Sequence, residues 1–135
     1  MRVPARGSDD GAAAVEFALV SVLLFTLFFG IIQYGYFFLQ SSGAEHAAWA
    51  GARAASVGID VCSDWEALVV DSGGSADVQS ASVTAAAHRG DPITVTVAWK
   101  PLDLGLPFIP FPGGDQPETA LARVERIGGV TTGCS

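Results

Sequence analysis

The 135-residue chain is poor in basic residues: one lysine and six arginines are scattered along it, against 14 acids, for a net charge of −7. A nucleic-acid binder gathers Lys and Arg on one face to neutralise phosphates, and no such cluster exists, so that class is set aside. Cysteine is scarce too. Cys62 and Cys134 lie far apart, with no CxxC and no histidine at ligand spacing, which argues against a metal site. The two histidines, His46 and His88, have no nucleophile at motif spacing, and GxSxG, HExxH and Gly-rich phosphate loops are all missing. Lone histidines are usually solvated or structural, so nothing here points to an enzyme, a cofactor or a small-molecule substrate. There are no internal repeats.

The most informative lack is of charge between Val15 and Leu39, where Glu16 is the only ionisable acid or base among apolar residues. At about 1.5 Å per residue such a helix exceeds the roughly 30 Å hydrocarbon core of a bilayer, which predicts a transmembrane helix over 15–39. Ser21 and Thr26 can bond back to helix carbonyls, Gln33 falls near the rim, and Tyr34, Tyr36, Phe37 and Phe38 gather at the outer end, where aromatic rings favour the interface. Residues 1–11 read as a polar leader that does not fold. Arg2 and Arg6 within it keep this end cytoplasmic and place the rest outside. An alternative is a secretory signal peptide cut at Ala48-Trp49-Ala50, although apolar cores of about 7–15 residues are usual there and this one is longer.

Removing the apolar stretch leaves about 95 residues, enough for one small domain. Residues 40–57 have no proline and abundant alanine, so the helix should continue as one element over 12–57, with 40–57 extracytoplasmic. Gly43, Ala47, Gly51 and Ala55 recur every four residues and present a face low enough for another helix or a sheet to approach closely. Gly58 is the expected stop. Within the remaining domain, 58–135, Ser63-Asp64-Trp65-Glu66 reads as the start of a short helix ending near Val70. Residues 78–87 suggest a strand with Val78, Ser80, Ser82 and Thr84 on one face and Ala81, Val83 and Ala85 on the other, though the alanines suit a helix equally; a hairpin of 78–88 with 93–100 follows. Arg89-Gly90-Asp91-Pro92 is a turn, and Ile93, Val95, Val97 and Trp99 alternate with small residues as the clearest strand. A third strand is expected over 119–127, with Arg123, Glu125 and Ile127 on one side. The intervening 101–117 segment holds five of the seven prolines around several large apolar residues, which excludes regular structure. It either covers the domain's own core or offers a partner an apolar patch. The expected fold class is α+β: a long N-terminal transmembrane helix running into a small extracytoplasmic domain with an antiparallel sheet of about three strands. Outside the cytoplasm, Cys62 and Cys134 suggest a disulfide between the chain end and the start of the domain, adding about 2–4 kcal/mol. The alternative is a pair of buried thiols.

One stretch carries chemistry: Gly11-Ala12-Ala13-Ala14-Val15-Glu16-Phe17. A protease acting at the membrane surface needs a small, unhindered residue before the scissile bond, and Gly11 stands where the polar leader meets the apolar run. Cutting there frees the amine of Ala12 and leaves Glu16 as the fifth residue of the mature chain. A carboxylate just inside an apolar helix is costly. The new amine of an adjoining copy could answer it, and the helix N-terminus also favours an acid.

G-x-x-x-x-E-F before a long apolar helix resembles the processing site of type IV prepilins of the Flp class. The residues around it, with Gly30-Ile31-Ile32-Gln33-Tyr34-Gly35 and Ala47-Ala48-Trp49-Ala50-Gly51-Ala52-Arg53-Ala54-Ala55, are similar to the TadE-like pseudopilins over about 11–56. The resemblance implies a leader of residues 1–11 removed after Gly11, Ala12 as the first mature residue, and Glu16 with Ala12 and Phe17 at the processing and assembly site. It departs from the family where Gln33 replaces a frequent acid and Tyr36 a frequent base. It further implies a minor pilin or pilus-assembly component of an adhesive Flp/Tad system. The implied partners are a prepilin peptidase, the major Flp-type pilin, sister TadE- or TadF-like pseudopilins and the inner-membrane assembly platform. A signal-anchored extracytoplasmic binding module that never polymerises shares every feature except processing. N-terminal sequencing of the mature protein is expected to start at Ala12; a start at Gly51 would establish the secretory alternative.

Overall fold

A computed structural model describes residues 9–58, 61, 63–106 and 109–130, arranged as two helices and a three-stranded sheet. Cys62 and Cys134, and with them the expected disulfide, lie outside the described residues.

Helix α1 runs without interruption over Asp9–Val57, 49 residues, or about 73 Å at the standard rise. It begins before Gly11, so Asp9 and Asp10 are helical rather than part of an unstructured leader. Its end is built from three sources. Gly58 adopts a φ of 109° and donates its N–H to Ala54 O at 3.3 Å, as a residue without Cβ can in a C-terminal turn. The backbone amides of Glu125 and Arg126 donate to Ser56 O at 2.9 and 3.2 Å, and the Arg126 guanidinium donates to Gly58 O at 3.1 Å. Carbonyls that the helix leaves without intrahelical partners are thus satisfied by the far end of the chain.

Helix α2 spans Ser63–Ser72, two residues past the expected end, with Asp64 and Glu66 in the first turn, where the helix dipole favours acids. Trp65 and Val69, one turn apart, face inward and are fully buried. The Trp65 indole N–H donates to Gly51 O at 3.0 Å, which fixes α2 across the outer half of α1.

The sheet comprises β1 (Asp77–Val83), β2 (Pro92–Lys100) and β3 (Gln116–Arg123) in the order β1-β2-β3, antiparallel throughout. The fold is α+β. On β2, Ile93, Val95, Val97 and Trp99 have no exposed surface, as strict alternation requires of a strand with one covered face. They lie against Ala44, Ala47, Ala48, Ala52 and Ala55 of α1, all buried.

Two strands differ from the sequence expectation. The register of β1 against β2 shifts between Val78 and Ser80. This bulge puts Val78 on the core side with Ala81 and Val83, where simple alternation opposes them, and leaves Ser80 and Ser82 outward. β1 also stops at Val83; Ala86 then pairs with Val130, through N–H···O bonds of 3.0 and 2.7 Å, instead of continuing the hairpin. β3 begins three residues earlier than expected and ends at Arg123. Pro117 is compatible with the outer edge of a sheet, where a missing N–H breaks no ladder bond. The strand ends because the amides that follow turn elsewhere: Val124 N–H bonds Asp91 O, and those of Glu125 and Arg126 reach the end of α1. Glu125 and Ile127 are exposed coil.

Gly51 measures how close the layers lie. A Cβ placed there would come within 2.7 Å of Val69 Cγ2 and 3.2 Å of Trp65 Cζ2. Gly51→Val is therefore expected to destabilise the domain by about 1–3 kcal/mol through overpacking. Ser42→Val, on the exposed side of the same helix, should cost much less; urea titration of the detergent-solubilised protein followed by tryptophan fluorescence distinguishes the two.

Candidate functional site: the exposed apolar helix and the loop that closes on it

The first turns of α1 carry Gly11, Ala12, Glu16 and Phe17, all exposed. Ala12 and Glu16 are four apart and stack one turn above the other on the same face. The Gly11–Ala12 peptide lies in the first turn, where amide groups lack intrahelical acceptors and glycine lowers the helical preference. A protease can unwind it at small cost. Among the described residues Glu16 has no hydrogen-bond or ion-pair partner; the one ion pair is His88–Asp91, an exposed turn contact at 3.6 Å.

From Val15 to Ile32 nearly every large apolar side chain of α1 stands free of the rest of the chain. The helix is long and apolar enough to cross a membrane, and in its most apolar window, with a mean hydropathy of 2.5, no residue is buried. A core helix of a soluble domain would be covered. This arrangement is compatible with a single-pass membrane anchor.

The covering of α1 begins at its Gln33, one of three buried polar residues in the described structure and 1% exposed in the middle of an apolar run. The chain after β2 folds back along the helix and surrounds it. Gln33 Nε2 donates to Leu102 O at 2.9 Å, and Leu104 N–H donates to Gln33 Oε1 at 3.2 Å, so one side-chain amide serves both a carbonyl and an amide of an irregular loop. Gln40, two turns along the same face, accepts Leu102 N–H at 2.9 Å. The Tyr34 hydroxyl donates to Pro110 O at 2.7 Å, and Phe111 sits edge-on to Tyr34 and Phe37 at 6.3 and 5.6 Å. Leu102, Leu104, Ile109, Pro110 and Phe111 therefore dock on the helix beside the domain, before the chain enters β3 at Gln116. Gln33 anchors this loop.

The regularly spaced small residues Gly43, Ala47, Gly51 and Ala55 face the molecule's own domain. A Cβ at Gly43 would collide with the Gly73 carbonyl, and Gly51 meets α2 and β2 as described above. Their row does not form a free surface for another subunit.

Residues 11–53 match the family model described as TadE-like protein. No curated protein and no solved structure matches the chain. The matched segment thus takes in Gly11, Ala12, Glu16 and Phe17, the exposed apolar helix, Gln33, Gln40, Gly43, Ala47 and Gly51, and stops before Ala55, α2 and the sheet. The family is a pilus-associated structural one rather than a known enzyme family, and the match suggests a component associated with a Tad pilus. Among the described residues no three His, Cys, Asp or Glu side chains converge as a metal site would need.

Sequence reading missed the Gln33–Gln40 pair as a functional unit. The available signal was two amides seven residues apart on one stripe of a helix with few other polar groups. Gln33→Leu leaves the Leu102 carbonyl and Leu104 amide without their partner, a loss of about 1–3 kcal/mol. It is expected to release the loop without unfolding the sheet, read as faster hydrogen exchange confined to 101–112 and unchanged exchange in β2.

Proposed function

We propose that this protein is a minor pilin or pseudopilin of a Flp/Tad-type system, cut between Gly11 and Ala12 by a prepilin peptidase and assembled through its exposed N-terminal helix. The observation that carries the reading is an apolar helix surface left wholly bare by its own chain and headed by Gly11-x-x-x-x-Glu16-Phe17, within a segment that matches the TadE-like family. Bare apolar surface of this extent requires a cover. Lipid supplies it while the subunit waits in the membrane, with the N-terminus cytoplasmic and the domain outside. Neighbouring helices supply it once the subunit is drawn into an assembly with the major pilin, sister pseudopilins and the assembly platform.

Processing gives this exchange a register. Before the cut, Glu16 lies on a helix face with an uncharged peptide at Ala12. After it, Ala12 bears an ammonium group, and a neighbouring copy displaced along the axis can set that amine against the Glu16 carboxylate as lipid headgroups and water are excluded. An ion pair answered in this way costs less to bury than a lone carboxylate, and only one stagger of the helices answers it.

In cells with an active pilus system, the membrane-extracted protein is expected to lack residues 1–11 by intact mass, and Gly11→Val to retain them. Glu16→Gln should be processed normally yet fail to enter sheared pili. Wild-type protein that keeps Met1 through Gly11 would refute the reading, and pilus function surviving Gly11→Val with full retention of the leader would favour a membrane-tethered binding module.

A further inference from the structure

The loop after β2 places apolar side chains along α1 from Gly30 to Gln40, a stretch that begins about where a bilayer's hydrocarbon would end if α1 spans it from Ala12. Counting about 20 residues for a 30 Å core from Ala12 brings the outer boundary to the neighbourhood of Gly30 and Ile31. Ile109 lies there: its Cδ1 is 3.8 Å from where a Gly30 Cβ would stand. Gln33 and Gln40 follow about 3 and 14 Å further out along the axis. Leu102 and Leu104, bonded at those levels, are each 46% exposed, and Tyr34 and Phe111 flank them.

Four backbone groups of the loop are satisfied as lipid would require. Irregular backbone is tolerated at membrane depth only where protein groups satisfy it, since each bare amide or carbonyl costs several kcal/mol there. The Leu102 N–H, Leu102 C=O, Leu104 N–H and Pro110 C=O groups all have side-chain partners on α1, while Asp103 turns outward and accepts Gly105 N–H at 2.8 Å. Three prolines at 101, 110 and 112 have no N–H to satisfy. Asp103 sets the depth limit: the loop belongs at the headgroup–acyl boundary, not within the hydrocarbon.

We propose that this loop is a second membrane contact, a lipid-seated collar that rests Leu102, Leu104, Ile109 and Phe111 on the outer leaflet and fixes the height and tilt of the domain above it. Lipid is the occupant favoured over a second copy because the apolar loop surface is continuous with the bare apolar helix surface and lies at the one depth where that surface meets the headgroups. The inference rests on reading α1 as a membrane span, and the test separates the two.

Full-length Leu104→Trp, Phe25→Trp and Val57→Trp variants, all at exposed positions, are reconstituted at high lipid-to-protein ratio in phosphatidylcholine vesicles with or without bromine on the upper acyl chain. Wild-type emission is subtracted. Leu104→Trp should shift to the blue and lose about twofold or more of its emission in brominated vesicles, as a ring at the interface would, while Val57→Trp loses none. Leu102→Trp should repeat the Leu104→Trp result. If Phe25→Trp is quenched and neither loop variant is, the collar is overturned while the span stands. If Phe25→Trp is not quenched either, the span itself fails. Loss of Leu104→Trp emission that needs no bromine and grows with protein density would assign the surface to a neighbouring copy, and also overturns the lipid contact.

Discussion

Helix α2, the turn after it and the sheet can all lie on α1 only because α1 has almost no side chains where they meet. At Gly43 a single Cβ would strike the Gly73 carbonyl, and at Gly51 it would press on Val69, Trp65 and Val95 together. Between these glycines the contact face is alanine, all of it buried. Alanines contribute little apolar area each, so the bulk of the core comes from the other layers: Ile93, Val95, Val97 and Trp99 on β2, Trp65 and Val69 on α2. This division suits a helix that also crosses a membrane. Alanine holds helical geometry by intrinsic preference, so the element does not depend on the domain for its continuity. The domain, in contrast, depends on the helix for one whole side of its core.

How much of this could be read from the residues depended on the range of the interaction. The apolar run, its alanine-rich extension, the Gly58 stop and the Ile93–Trp99 strand are set by neighbours within a few positions, and each formed as its periodicity demanded. Val78 did not follow. A bulge one residue later reverses its face, and nothing in Val78-Gln79-Ser80 signals the extra residue. The end of β3 was equally hidden, because the amides of Glu125 and Arg126 are committed to Ser56 almost 70 positions away. The loop after β2 is irregular up to Asp115, as read, but its last two residues, Gln116 and Pro117, join β3, and its seat on α1 was not read. Its partners Gln33 and Gln40 precede it by more than 60 residues, and they resemble ordinary rim glutamines until Leu102 and Leu104 are placed beside them.

The four residues proposed for processing come from sequence order alone. Gly11, Ala12, Glu16 and Phe17 need no tertiary structure to come together, since a helix places them within two turns. What the structure adds is their setting: they head an apolar cylinder untouched by the chain's own domain, and their helix has already begun at Asp9. The Gly11–Ala12 peptide is therefore part of a helical first turn, which would have to open for the proposed cleavage.

The docked loop also bears on what removal from the membrane would entail. Bare helix surface below Gly30 and the half-exposed leucines above it form one apolar band, joined by side-chain hydrogen bonds that hold the loop to the helix. If the helix leaves lipid for a bundle of neighbours, the loop travels with it, and Leu102 and Leu104 lose their cover at the same moment as the span. An assembly that answers only the helix would leave those leucines in water. A neighbour offset along the axis, as the proposed Ala12–Glu16 pairing would require, would set part of its own apolar helix beside the loop and could cover both at once. The same stagger that answers the buried charge would then also answer the exposed loop.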